Sequence, residues 1–310
     1  MGGVERRLGG AGVATEGPVA GVSTLARQLV VLSKPRIIVL LVLTAVCGLY
    51  KAAEAEPAWD VRLAVTIAGA LAAAGSNAIN QGLDSDIDAV MRRTRRRPVP
   101  AAQMSRNGAL TFGALAIALA VAGMGLFANW LAAWLTLAAA AVYVLVYTVL
   151  LKRRSWNSIV IGGAAGAFPP LIGAATVTGQ IEAVGLYMFA LVFFWTPPHF
   201  WTLSILLRDD YAAAKVPMLA SIASQRDTAI QIVLYIVLLV AMAWLPVAAG
   251  YAGVTFGIVT TLISAWWLRK SLPLLRDGSR ATALSAYKFS LLWLAIVFLV
   301  LAAEPALPWY

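Results

Sequence analysis

Asn80, Asp84 and Asp88 recur every four residues, and Arg92, Arg93, Arg95, Arg96 and Arg97 follow directly. On a helix each step of four turns about 400°, so the three side chains share one face with a slow drift. Paired carboxylates of this kind can give oxygens to Mg²⁺, which prefers one or two carboxylates and completes its shell with water and substrate phosphate oxygens. Arginine forks match phosphate oxygens bidentately. The combination therefore suits a metal-bridged diphosphate, with Arg92, Arg93 and Arg97 as candidate diphosphate ligands. Asp86 falls about 200° away from Asp84 and is expected to serve a neighbouring loop or a salt bridge. A helix-end acid pair neutralised by the following arginines is the plainer alternative, and it leaves the aligned Asn80 unexplained.

A second acidic segment, Arg208-Asp209-Asp210-Tyr211, places Asp210 as a ligand for a second metal ion, the two-metal clamp on a leaving group; an acid cluster paired with Arg208 is the alternative. Tyr147 precedes Lys152-Arg153-Arg154, which adds cations but also suits a basic loop that only sets topology. His199, the single histidine, lies in Thr196-Pro197-Pro198-His199-Phe200-Trp201. An imidazole inside a membrane needs a partner, and this one could ligate a haem iron, shuttle a proton or bond a neighbouring helix. Pro197-Pro198 is expected to break or kink the helix and so open a cavity. The small-residue run from Ile161 to Gly173 predicts close helix packing, with a wall for a bulky flat substrate as the alternative.

The elements that must position these groups follow from composition. The 310 residues are 61% hydrophobic and 12% charged, about half the charge of a soluble domain. The apolar residues fall in blocks of about twenty, the length that crosses a hydrocarbon core. Nine spans are predicted, at roughly 36–53, 62–83, 107–128, 130–151, 155–178, 182–207, 228–249, 252–269 and 284–303, giving an all-α polytopic membrane protein. Of the 24 basic residues, 22 lie in alternate connections, which predicts a cytoplasmic N-terminus and an external C-terminus. The ends of spans 2, 4 and 6, with Asp84 and Asp88, Tyr147 and Lys152, and Asp209 and Asp210, then gather on the cytoplasmic face. The net charge of +10 is accounted for by these loops, and no interleaved aromatic and basic surface suggests nucleic-acid binding. Cys47, the single cysteine, can form no intrachain disulfide. Residues 1–30 are expected to be a flexible cytoplasmic tail, 31–304 one intramembrane domain and 305–310 a short external tail. The first 27 residues lack the long apolar core of a secretory signal.

Several stretches together resemble the UbiA-type intramembrane prenyltransferases, over about residues 30 to 300. They are Ser33-Lys34-Pro35-Arg36, Asn80 through Asp88, Met91-Arg92-Arg93-Thr94 with Arg97-Pro98, Tyr147 through Asn157, Ile161 to Gly173, Trp195 to Phe200, and Asp210-Tyr211 with Val216-Pro217-Met218. The NxxxDxxxD pattern alone indicates the superfamily. The context of Asp86-Ile87-Asp88, the Gly/Pro-rich fifth span and the Pro-His-Phe segment point to its haem branch. Lys215 stands where that pattern leads one to expect glycine, and the second acidic motif is less regular than the repeated-aspartate version, so one or two metals both stay open.

The resemblance implies Mg²⁺-assisted transfer of a farnesyl group from farnesyl diphosphate to a vinyl group of haem b in a bacterial-type plasma membrane, giving haem O and diphosphate. It implies catalytic roles for Asn80, Asp84, Asp88, Asp210 and Tyr147, with metal binding by Asp84, Asp88 and Asp210. Diphosphate would be held by Lys34, Arg36, Arg92, Arg93, Arg97 and Lys152, and haem by His199. Partners would be the two substrates, the bilayer and haem-oxidase assembly components. A sister prenyltransferase acting on an aromatic or quinone precursor is the nearest rival, and a membrane transporter or haem carrier the rival of another class. Carboxylates at the membrane surface beside basic residues favour diphosphate chemistry over a mid-membrane transport site.

Overall fold

The computed structural model describes residues 22–304, and every regular element among them is helical. A short helix, α1 (Val22–Ser33), leads into α2 (Pro35–Ala52) through Lys34, whose φ of 55° makes a tight left-handed joint. Then follow α3 (Trp59–Leu83), α4 (Ser85–Val90), α5 (Arg106–Phe127), α6 (Trp130–Leu151), α7 (Ser158–Thr178) and α8 (Ala183–Leu206). The chain continues with α9 (Arg208–Ala213), α10 (Leu219–Ile222), α11 (Gln225–Ala248), α12 (Val254–Ser271) and α13 (Arg280–Ala303).

Eight of the described helices, α2, α3, α5 to α8, α11 and α13, are long and apolar enough to cross a membrane. The expected spans match them closely because each apolar block is bounded by charges or turn residues. The remaining expected span, 252–269, is also a helix, α12, with 18 residues. Its Thr255, Thr260, Thr261 and Ser264 and its Arg269-Lys270 end dilute its apolar character, so length and composition alone count eight of the described helices as candidate spans. Val39, Leu119 and Leu126 are 68%, 65% and 73% exposed. So much apolar surface on a helical bundle, its backbone groups satisfied internally, suits hydrocarbon rather than water.

Helices α3, α5 and α6 build one side of the bundle and α8, α11, α12 and α13 the other, with α2 and α7 packed against each other between them. The larger core belongs to the second side, where Trp195, Trp201, Trp267, Trp293, Phe256 and Phe298 are buried together. The α2–α7 contact depends on two glycines. A Cβ on Gly173 would collide with the Ala45 carbonyl, and one on Gly48 with the backbone of Pro170. This is the close packing that the small-residue run predicts.

Of the break or kink expected at Pro197-Pro198, the break does not occur, nor does one at Pro169-Pro170: α8 and α7 each run through their proline pair as one element. Trp195, Pro197, Pro198 and Trp201 are all buried in the core, so packing on both sides holds the turn where the missing N–H groups would loosen it.

Two local features place the charged end. Asp84 interrupts the helix between α3 and α4, with φ −96° and ψ 13°. The ladder nevertheless continues across it, since Asp84 N donates to the Asn80 carbonyl at 2.9 Å and Asp88 N to that of Asp84 at 2.8 Å. The four-residue register of the acidic motif therefore survives the joint. The end of α6, Val142–Leu151, winds as a π-helix, a form often found at functional sites, and Lys152 N closes it on the Tyr147 carbonyl at 2.8 Å.

Gly173→Val should push α2 and α7 apart and lower stability by about 1–3 kcal/mol, read as an earlier thermal transition of the purified protein in detergent. A variant as stable as the parent would contradict the close approach.

Candidate active site

Asp84 is 1% exposed. Its Oδ2 accepts from Asn80 Nδ2 at 2.7 Å and from the Lys152 ammonium, delivered by the π-helical end of α6. Its Oδ1 has no hydrogen-bond partner among the described residues, and Arg153 Nη2 stands 3.6 Å away. Asn80 Nδ2 also donates to Thr148 Oγ1 at 3.1 Å, and its Oδ1 accepts from Lys34 Nζ at 3.3 Å. Lys34 reaches Asn77 Oδ1 too, at 3.1 Å, and Tyr143 donates to the same oxygen at 3.4 Å.

The joint that carries Lys34 is fastened to α3. Asn77 Nδ2 donates to the Ser33 carbonyl at 3.1 Å and Gln81 Nε2 to that of Leu32 at 2.6 Å. Burial, and then the nearby Arg97 and Lys152 charges, pull the Lys34 ammonium well below its usual range. A cation so placed is eased by an incoming anion.

Asp88 is 2% exposed, and its Oδ2 accepts from Arg97 Nη1 at 2.7 Å. The loop that returns Arg97 is tied down by Thr94, whose hydroxyl donates to the Asp88 carbonyl at 3.0 Å. Asp210 joins from the other acidic segment, its Oδ1 accepting from the Arg92 backbone N–H at 3.3 Å. Asp86 turns outward and takes a two-pronged bond from Arg153, both contacts 2.7 Å. Those bonds hold its carboxyl down at about 2 and raise the guanidinium, although at 65% exposure the pair contributes little to stability.

Beneath the cluster, Tyr147 stacks on Tyr143 with centroids 5.6 Å apart and packs against buried Ile87, Met91, Ile159, Tyr211, Val216 and Met218. Burial pushes the Tyr211 hydroxyl up. Beside it, an open groove of about 450 Å³ runs between Asp86, Val90, Arg153 and Lys215. Lys215, where glycine was expected, adopts φ 53°, a conformation that glycine takes without strain.

The structure thus brings Lys34, Asn80, Asp84 and Lys152 into one network, and pairs Asp88 with Arg97 and Asp210 with the Arg92 backbone. Arg36 is exposed, with no hydrogen bond or ion pair among the described residues, and Arg93 is exposed beside the cluster. His199 stands apart on α8, its Nδ1 2.6 Å from Ser290 Oγ, with no bond to the acidic network among the described residues. Asn77, Tyr143, Thr148 and Ser290 escaped the sequence reading. Asn77 had a signal, since it lies three residues before Asn80 on the same helix face. Tyr143 and Thr148 had none, because only the i→i+5 winding places them.

Among the described residues no three acidic, His or Cys side chains converge, so a metal here would rest on one or two protein carboxylates. Hard oxygen donors suit Mg²⁺ under that limit. The buried Asp84 Oδ1, an acceptor without a donor, is the kind of atom a cation would relieve. Asp84 and Asp88 fit that ion, with Asp210 at the adjoining loop.

Fold and site together define a polytopic helical membrane protein with a buried carboxylate–cation network where its spans end. Residues 41–303 match the UbiA prenyltransferase family, and the chain belongs to that family. It is 42% identical over 300 residues to the protoheme IX farnesyltransferase of Brucella ovis, covering 94% of each chain. It is 47% identical over 283 residues to that of Thermus thermophilus, covering 90% of this chain and 46% of the relative. The chain spans about half the length of the Thermus, Roseiflexus and Chloroflexus relatives it matches. Its fold is shared with a digeranylgeranylglyceryl phosphate synthase (TM-score 0.74, 18% identity, 91% of this chain and 99% of that one). It is also shared with a UbiA homolog from Archaeoglobus fulgidus bound to DMAPP and Mg²⁺ (TM-score 0.68, 16% identity, 88% of this chain and 99% of that one).

Lys152→Met leaves the Asp84 charge buried without its closest cation and should cost about 3–5 kcal/mol. Adding Asp84→Asn should recover much of that loss. Unfolding of both single variants and the double one in detergent measures the coupling, and strictly additive losses would contradict the ion pair.

Proposed function

We propose that this membrane-embedded chain transfers a farnesyl group from farnesyl diphosphate to a vinyl group of haem b, giving haem O and diphosphate. The observation that carries the reading is the Asp84–Asp88 ladder, buried at the end of α3 and surrounded by Lys34, Lys152, Arg97 and Arg153. The names of relatives at 42–47% identity, one of them matched over 94% of its length, support the acceptor and donor.

In this reading the allylic C–O bond breaks with its electron pair leaving on the diphosphate. Lys34, Lys152 and Arg97 stand where they can take up the growing negative charge, already held in place by Asn80, Asp84 and Asp88, so little reorganisation is needed as charge develops. Mg²⁺, when bound through Asp84 and Asp88, would add Lewis-acid stabilisation of the same leaving group. Tyr147, stacked on Tyr143, offers a π face to the allylic cation. The vinyl π bond of the haem captures that cation, and water then adds the hydroxyl and releases a proton. His199 ligates or orients the haem, with Trp195 and Tyr287 as flat neighbours. Residues 31–304 make up the working domain, the charged network lies on the cytoplasmic side of the cell membrane, and the product passes to haem-oxidase assembly components.

Purified protein given labelled farnesyl diphosphate, haem b and Mg²⁺ should yield a labelled haem. Label in a quinone precursor instead would move the acceptor, and no transfer to any acceptor would overturn the reading. Asp84→Ala/Asp88→Ala should insert normally in membranes and lose turnover by at least about a hundredfold; retained turnover would reject the role of the ladder.

A further inference from the structure

Ser290 of α13 is fully buried and holds two rings of α8 at once. Its backbone carbonyl accepts from Trp195 Nε1 at 2.9 Å, and its hydroxyl oxygen lies 2.6 Å from His199 Nδ1. Trp195 and His199, one helical turn apart, stack at 4.3 Å between centroids with 18° between their planes. Tyr287 covers the imidazole from α13 at 5.0 Å and 28°.

The direction of the His199–Ser290 bond follows from the third member of the chain. Ser290 Oγ also lies 2.6 Å from the Tyr287 carbonyl oxygen. A carbonyl can only accept, so the single hydroxyl proton of Ser290 is committed there. Its oxygen is then an acceptor towards the imidazole, and Nδ1 must carry the hydrogen. In the neutral ring this leaves the lone pair on Nε2, and Nε2 makes no hydrogen bond among the described residues.

We propose that Ser290 is a positioning residue that fixes His199 as its Nδ1–H tautomer and so presents the Nε2 lone pair to the iron of the porphyrin acceptor. The proposal rests on the functional reading above and adds the residue that sets the acceptor's ligand. A histidine that binds metal through one nitrogen commonly donates its other N–H to a fixed acceptor, and loss of that acceptor typically weakens metal binding about 10–100-fold. Ser290 bonds Trp195, His199 and Tyr287 and none of the acidic network among the described residues, so its effect should be confined to the acceptor.

Because His199 is the single histidine of the chain, ¹⁵N-histidine labelling of protein carrying no histidine tag reports this one imidazole. Wild type without substrates should show a pyrrole-type Nδ1 and a pyridine-type Nε2. Ser290→Ala should mix the tautomers and raise the KM for haem b about tenfold or more, with the KM for farnesyl diphosphate unchanged. Ser290→Thr, which keeps the hydroxyl, should restore both. A wild-type proton on Nε2 would overturn the proposal even if no variant folds, as would Ser290→Ala with an unaltered tautomer and haem KM. Wild type that holds the Nδ1–H tautomer but farnesylates no haem would overturn the functional reading, and with it the role of Ser290, while the tautomer itself would stand.

Discussion

A carboxylate buried where a membrane helix ends can stay charged only with cations brought against it, and Asp84 imposes that condition on the rest of the molecule. Its oxygens meet Lys152 and Arg153 from the end of α6, 68 residues and several turns of chain away. Asn80 ties the same carboxylate to Lys34 and Thr148. Three separate stretches must therefore end at one level. The reversals of direction between successive long helices, from α2 through α3 and α5 to α6, bring them there.

Packing does the remaining alignment. Gly48 and Gly173 let α2 approach α7 at backbone distance, and α2 begins at Lys34, which is fastened to α3 through Asn77 and Gln81. The short α4 carries Asp88 one turn beyond Asp84 and returns Arg97 over it through the Thr94 anchor. Asp84 and Asp88 thus each have a cation, Lys152 and Arg97, before any substrate arrives. An arriving diphosphate would compete with the carboxylates for those cations, and a divalent ion would compete with the cations for the carboxylates. Exchange of this kind couples metal and diphosphate binding. Arg153 also bonds the exposed Asp86, which tethers this cation at the rim.

The bundle was legible because apolar blocks of spanning length are bounded by charged turns, and the acidic ladder because a four-residue spacing survives the interruption at Asp84. The ninth expected span is also a helix, α12, of spanning length but more polar than the other eight. Pro197-Pro198 does not break its helix, because the tryptophans packed around the pair hold the turn. Partner choice was hidden for a different reason. Nothing in the spacing of Tyr143 and Thr148 announces a π-helical turn, and nothing near Ser290 in sequence announces His199, 91 residues earlier. Side chains that meet across helices carry no periodic signal in either strand of sequence.

In the proposed function a divalent ion carries the interaction between the buried acids and the diphosphate, a linkage open to measurement. Titration calorimetry of the intact protein with an unreactive thiolo analogue of farnesyl diphosphate, with Mg²⁺ and then with the metal chelated, tests it most directly. Analogue binding should be at least about tenfold tighter with Mg²⁺, a coupling within the usual range for linked sites, and Mg²⁺ binding should be tightened equally by the analogue. Equal affinity in the presence and absence of the metal would contradict it.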